Sequence, residues 1–163
     1  TNDVDDSPKL LYTLKLIENE NKLWTPYGLR SLAKDDKFYG TSENYWRGPI
    51  WININYLVLA SLKQNYVSQG PHREMATKIY TQLREKLALN VLNVRARVRS
   101  LIRHLVATVL VAVTHSLSLI TRQEYQLTGY VWEQYDPKTG KGKRSHPFTG
   151  WSALVINILA EKF

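Results

Sequence analysis

The sequence predicts an all-α fold, on three observations. Apolar residues recur at helical spacing in four segments, Ser-Pro or Gly-Pro pairs head three of them, and long Gly- and Pro-containing stretches without a sustained period lie between. Ser7-Pro8 opens the first helix, with Ser able to accept a bond from first-turn amides and Pro preset for the first helical position; Leu10, Leu14 and Ile17 follow on one face. Residues 19–45 carry Pro26, Gly28 and Gly40 and form a long loop, the kind of segment in which sites concentrate. Gly48-Pro49 opens a second helix, in which Ile50, Ile54 and Leu57 mark one face and Trp51, Asn55 and Val58 another. Gly70-Pro71 opens a third, with Met75, Ile79, Leu83 and Leu87 in one row. Near the C-terminus Trp151, Leu154, Val155, Ile158 and Leu159 define an amphipathic helix. Before it, Asp136-Pro137-Lys138-Thr139-Gly140 is turn chemistry and puts Glu133 just ahead of a loop. Helix pairs joined by long loops fit an α/α toroid better than a compact four-helix bundle, whose connections are short.

At 163 residues the chain suffices for one modest domain, and its length leaves open whether that domain is complete. A hydrophobic share of 44% with 22% charged residues supports a packed core and argues against general disorder. Ten Tyr and five Trp exceed what an average core requires; such rings serve where an apolar face and a hydrogen-bonding edge are both needed, in a sugar site or in an aromatic-rich core. The net charge of +8 invites a nucleic-acid reading, but its distribution weakens that reading. Arg95, Arg97, Arg99 and Arg103 lie in one segment without an acid, and Lys138, Lys141, Lys143 and Arg144 lie in one Gly-containing loop. With no cysteine there is no disulfide framework. Thr1 to Asp6 is acidic and does not read as a signal peptide, so any targeting element is expected upstream.

Residues 95–120 stand apart. The run from Leu105 to Ile120 is almost wholly apolar, with His115 inside it, and is shorter than the roughly 20 residues a membrane-spanning helix needs. Leu105 to Val113 is rich in Val and Thr and leans toward strand within a helical context.

Glu133 sits between Trp132 and Tyr135 in Gly129-Tyr130-Val131-Trp132-Glu133-Gln134-Tyr135, where aromatic surroundings can tune a carboxylate for general acid or base work. By itself this signal is weak, since a Glu near a turn is usually a solvated or capping residue. A second constellation runs Tyr45-Trp46-Arg47-Gly48-Pro49-Ile50-Trp51 and on to Asn53 and Asn55. Aromatic faces stack on pyranose C–H faces while Arg and Asn bond hydroxyls; alternatively Trp46 and Trp51 are core anchors and Arg47 pairs with an acid. Two further aromatic loops, with Trp24 and Tyr27 in one and Phe148 and Trp151 in the other, carry the same pair of readings.

The segments LWTPYGLRSL, YWRGPIWININYL, GPH, GYVWEQYDPKTGKG and HPFTGWSALVINILAE, in this order, resemble the C-terminal part of glycoside hydrolase family 63, the processing α-glucosidases, over most of the chain outside 95–120. That resemblance implies an (α/α)6 toroid that cleaves the terminal α-1,2-linked glucose from the glucosylated N-glycan precursor in the endoplasmic reticulum, with inversion. It implies no cofactor and no metal, an N-linked oligosaccharide as partner rather than nucleic acid, and a membrane anchor carried only in an N-terminal part beyond this chain. By position Glu133 inherits the general-base role. Tyr45, Trp46, Arg47, Gly48, Trp51 and Asn53 correspond to the motif lining the sugar pocket, and Trp24, Tyr27, Trp132, Phe148 and Trp151 are the further substrate-binding candidates.

An inverting glycosidase needs two carboxyl groups about 6.5 to 9.5 Å apart. The family's general acid lies upstream of this segment, and Asp35, Asp36 and Glu43 read only as loop charges, so the chain alone is expected to be inactive. Joining Val94 to Thr121 gives LALNVLNVTRQEYQLTGYVWEQY, continuous in the family's manner, so residues 95–120 are expected to be a spurious insertion within one partial catalytic domain covering 1–163. Removing them deletes four of the eight net charges. The competing function is a non-catalytic carbohydrate-binding module.

Overall fold

A computed structural model describes residues 8–92, 125 and 128–163. Four helices dominate them: α1 (Pro8–Glu18), α2 (Ile52–Asn65), α3 (Arg73–Leu92) and α4 (Leu154–Ala160), the last entered through a 3-10 turn at Trp151–Ala153. The predicted all-α architecture is present. To it the structure adds an antiparallel ribbon of β1 (Gln134–Tyr135) and β2 (Gly142–Lys143), too short to leave a periodic signal in the sequence. Its turn is built by Asp136, whose Oδ1 accepts from the amides of Lys138 at 2.9 Å and Thr139 at 3.0 Å. Residues 95–120, the proposed join of Val94 to Thr121 and the capping role of Ser7 lie outside the described residues.

α3 is the central element, packing against α1, α2 and α4. Its predicted row is largely confirmed: Ile79, Leu83 and Leu87 are fully buried, and Met75 is half-buried at the margin. Leu10, Leu14 and Ile17 bury the expected face of α1, and Val155 and Ile158 that of α4. The second helix departs from expectation. It starts at Ile52 rather than at Pro49, because Ile50 bridges to both Arg30 and Tyr135 in extended pairing and cannot also be helical. The shift turns Ile52, Asn55, Leu59 and Leu62 inward and leaves Leu57 66% exposed, contrary to its assignment to an apolar face. Among the described residues no helix is long and apolar enough to cross a membrane.

The loop of residues 19–51 is held against α2 by one amide side chain. Asn55 Oδ1 accepts from the Leu29 N–H at 2.8 Å, while Nδ2 donates to the carbonyls of Leu29 at 3.1 Å and Trp51 at 2.8 Å. A buried amide satisfied in this way substitutes for a ladder that the irregular chain cannot form. Asn55→Ala strands buried backbone groups of Leu29 and is expected to destabilise the polypeptide by about 2–4 kcal/mol in urea unfolding, whereas exposed Leu57→Ala should cost under about 1 kcal/mol.

Candidate active site

Ile50 and Tyr135 exchange both backbone hydrogen bonds, each 2.9 Å. This clasp sets the segment leading into α2 beside the ribbon and brings together the residues just upstream of each partner. The Tyr45 hydroxyl donates to Glu133 Oε1. The Ser145 N–H donates to Glu133 Oε2 at 3.1 Å, and the Glu133 N–H returns a bond to the Ser145 carbonyl at 3.0 Å. The Glu133 carbonyl accepts from Trp151 Nε1 at 2.7 Å, and Ser152 Oγ donates to the Trp132 carbonyl at 2.6 Å. Backbone and carboxylate are therefore both fixed, and Glu133 is only 6% exposed.

Burial is the largest influence on the Glu133 carboxyl and pushes its pKa up. The bonds from Tyr45 and Ser145, with the nearby Arg144 charge, outweigh it and hold the pKa below the ordinary carboxylate value. Tyr45 moves the opposite way: its bond to Glu133, then burial, raise its hydroxyl pKa, so it stays a donor. Among the described residues each carboxylate oxygen has one protein donor, which leaves lone-pair capacity for a water. The group is ionised, oriented and still able to accept a proton.

Aromatic rings form a continuous wall beside it. Trp46 stacks on Trp51 with centroids 3.8 Å apart and planes 13° from parallel; Tyr45 meets Trp51 edge-on at 4.8 Å; Trp151 lies 5.3 Å from Trp51 and Phe148 4.7 Å from Trp151. Trp51 is fully buried, so it anchors the wall, whereas Trp46 is 52% exposed and presents a face to solvent. Of the alternatives open for these rings, core anchor fits Trp51 and accessible platform fits Trp46. Gly48 is required beneath them: its φ is +121°, and a Cβ there would lie 2.5 Å from Tyr39. Among the described residues Arg47 has no acid partner, giving Nη1 to the Thr41 carbonyl at 3.2 Å and its guanidinium to the Phe38 ring.

Other candidates lie elsewhere. Trp24 is 5% exposed in the core with Lys86 Nζ 4.1 Å over its ring, and Tyr27 is half-buried against Gly140. Trp132 has one face covered by His146 at 3.7 Å and packs so closely on Gly142 that a Cβ there would lie 2.1 Å from its ring. Asn53 is half-buried on α2, and its Oδ1 has no hydrogen-bond partner among the described residues. The sequence reading missed Ser145, Ser152 and Arg144. Ser145 acts through its backbone N–H, which leaves no mark on residue type, and Ser152 bonds a carbonyl through a fold-dependent contact.

A helical scaffold holding one shielded carboxylate beside a wall of aromatic rings has the makings of a sugar site. Comparison with known proteins gives the class: the family model for the glycosyl hydrolase family 63 C-terminal domain matches residues 3–100 and 96–161, and the chain belongs to this family. It is 45% identical over 159 residues to a probable mannosyl-oligosaccharide glucosidase of Schizosaccharomyces pombe, covering 97% of this chain and 16% of the relative. It is 40% identical to mannosyl-oligosaccharide glucosidase GCS1 of Arabidopsis thaliana, with 97% of this chain and 16% of the relative covered. With the Saccharomyces cerevisiae mannosyl-oligosaccharide glucosidase the identity is 34%, covering 94% of this chain and 15% of the relative. The chain thus spans about a sixth of the length of these relatives.

A carboxylate whose pKa is lowered on folding adds stability that is present above its unfolded value of about 4.3 and is lost as pH falls through the lower folded value. Tyr45→Phe should therefore cost about 1 kcal/mol at neutral pH, the partial exposure of Tyr45 reducing the usual charged-bond contribution. Urea unfolding at pH 7 and below pH 4 checks this, and the cost should shrink at the lower pH.

Proposed function

We propose that Glu133 is the general base of an inverting exo-α-glucosidase that removes the terminal α-1,2-linked glucose from the glucosylated N-glycan precursor. The observation that carries this reading is the carboxylate itself: shielded, kept ionised by Tyr45 and Ser145, and with acceptor capacity to spare. The names of the relatives, mannosyl-oligosaccharide glucosidases, support the substrate. In the reaction Glu133 takes a proton from a water as that water attacks the anomeric carbon, while a second carboxyl group on the opposite sugar face protonates the leaving oxygen; the configuration inverts. Trp46 offers the exposed ring for the sugar's apolar face.

The second carboxyl group is supplied from beyond the described residues. Asp35 is paired with Lys22, Asp36 accepts the Phe38 N–H in its own loop, Glu43 is paired with Arg144, and Asp136 is committed to its turn. On this reading the general acid lies upstream, as in the family, the isolated chain releases no glucose, and the working site is lumenal in the endoplasmic reticulum. In a full-length polypeptide carrying this chain, Glu133→Gln should lower kcat for glucose release by roughly 10²- to 10⁴-fold with little change in oligosaccharide affinity. Oligosaccharide binding without glucose release by the unaltered protein would instead favour a carbohydrate-binding module.

Residues 95–120 interrupt this domain rather than belong to it. In support, the family match is split into two segments, 3–100 and 96–161, which overlap inside the stretch instead of running through it as one. Sequencing the mature message across the junction should find most copies joining the codons of Val94 and Thr121; most copies encoding 95–120 would contradict the assignment.

A further inference from the structure

Arg144 belongs to none of the motifs and has no part in the reaction above, yet several features of the site converge on it. It follows β2 with φ +67°, in the left-handed region disfavoured for a residue with a side chain. Its Nη2 donates to Glu43 Oε1 at 2.7 Å, and its guanidinium carbon lies 5.3 Å from the centre of the Tyr45 ring. Tyr45 donates to Glu133 Oε1, and Ser145, the residue after Arg144, donates its N–H to Oε2. The unusual backbone of Arg144 thus immediately precedes one donor to the carboxylate, and its side chain braces the other. Among the described residues, the titratable or charged groups facing Glu133 are Tyr45 and Arg144. Lys143 pairs with Asp136, and His146 stacks on Trp132.

We propose that Arg144 is a positioning residue for Glu133: anchored by Glu43, its guanidinium steadies Tyr45 and places a positive charge beside the carboxylate, while its left-handed backbone presents the Ser145 N–H. A planar guanidinium suits both tasks, since it bonds an acid in its plane and lies over a ring with its face. The inference rests on Glu133 as general base.

The test compares Arg144→Gln, Arg144→Lys and Arg144→Gly with Glu133→Gln in the full-length polypeptide, measuring kcat/KM for glucose release against pH and the Tm of each variant. Arg144→Gln should lower kcat/KM on the order of tenfold and move the acid limb of the profile to higher pH, because loss of the positive charge favours the protonated carboxyl. Arg144→Lys should return the acid limb toward its original position but recover kcat/KM only in part. Arg144→Gly suits the backbone and should keep or raise Tm, yet its profile should resemble that of Arg144→Gln. A wild-type acid limb and kcat/KM in Arg144→Gln, or in Arg144→Gly, would overturn the inference while leaving Glu133 as base. Glucose release that survives Glu133→Gln, or is absent from the unaltered protein, would instead overturn the assignment of the base, and the inference with it.

Discussion

Two backbone hydrogen bonds between Ile50 and Tyr135 set the geometry on which the site depends. They join a loop that precedes α2 to a ribbon far along the chain, and the long-range contacts near Glu133 follow from that join. Tyr45 reaches Glu133, Trp51 packs on Trp151, and Arg144 meets Glu43. The clasp also explains why α2 starts late: Ile50, committed to extended pairing, cannot contribute helical bonds, so the helix begins after it and the still-extended Trp51. Ile50 and Tyr135 are both fully buried, so water does not compete for these bonds.

Around that clasp the helices act as a platform. α3 carries an apolar row along its length, α2 and α4 pack against it, and Asn55 holds the loop in place from within the core. The helical fold is that of the C-terminal part of the family's α/α toroid. Placing a reacting group on loops braced by such a layer combines access with rigidity, which a proton-accepting carboxylate needs. The balance at Glu133 shows the same logic in electrostatic form. Burial alone would favour its neutral state, and directed donors reverse that preference without removing all of its acceptor capacity.

Much of this was legible in the sequence, for identifiable reasons. Helix identity follows from apolar spacing, so the buried rows of α1, α3 and α4 could be read directly. Glu133 and the Trp46-Trp51 pair could be singled out because their residue types and neighbours carry chemical meaning. What the sequence withheld was pairing at a distance. Nothing in the spacing around Pro49 signals the capture of Ile50 by Tyr135, and apolar spacing alone does not reveal that Leu57 faces solvent. The aromatic loops looked alike as strings, yet Trp24 enters the core and Trp132 is covered by His146, while Trp46 stays open. Exposure of a ring is decided by the fold, not by its flanking residues.

Chemical rescue tests whether Glu133 activates the attacking water. In full-length Glu133→Ala, azide needs no general base and can enter the space vacated by the carboxylate. If Glu133 is the base, azide should restore turnover and give β-glucosyl azide, identified by NMR. Undiminished hydrolysis of the oligosaccharide by Glu133→Ala, with only glucose formed in the presence of azide, would rule out Glu133 as the base.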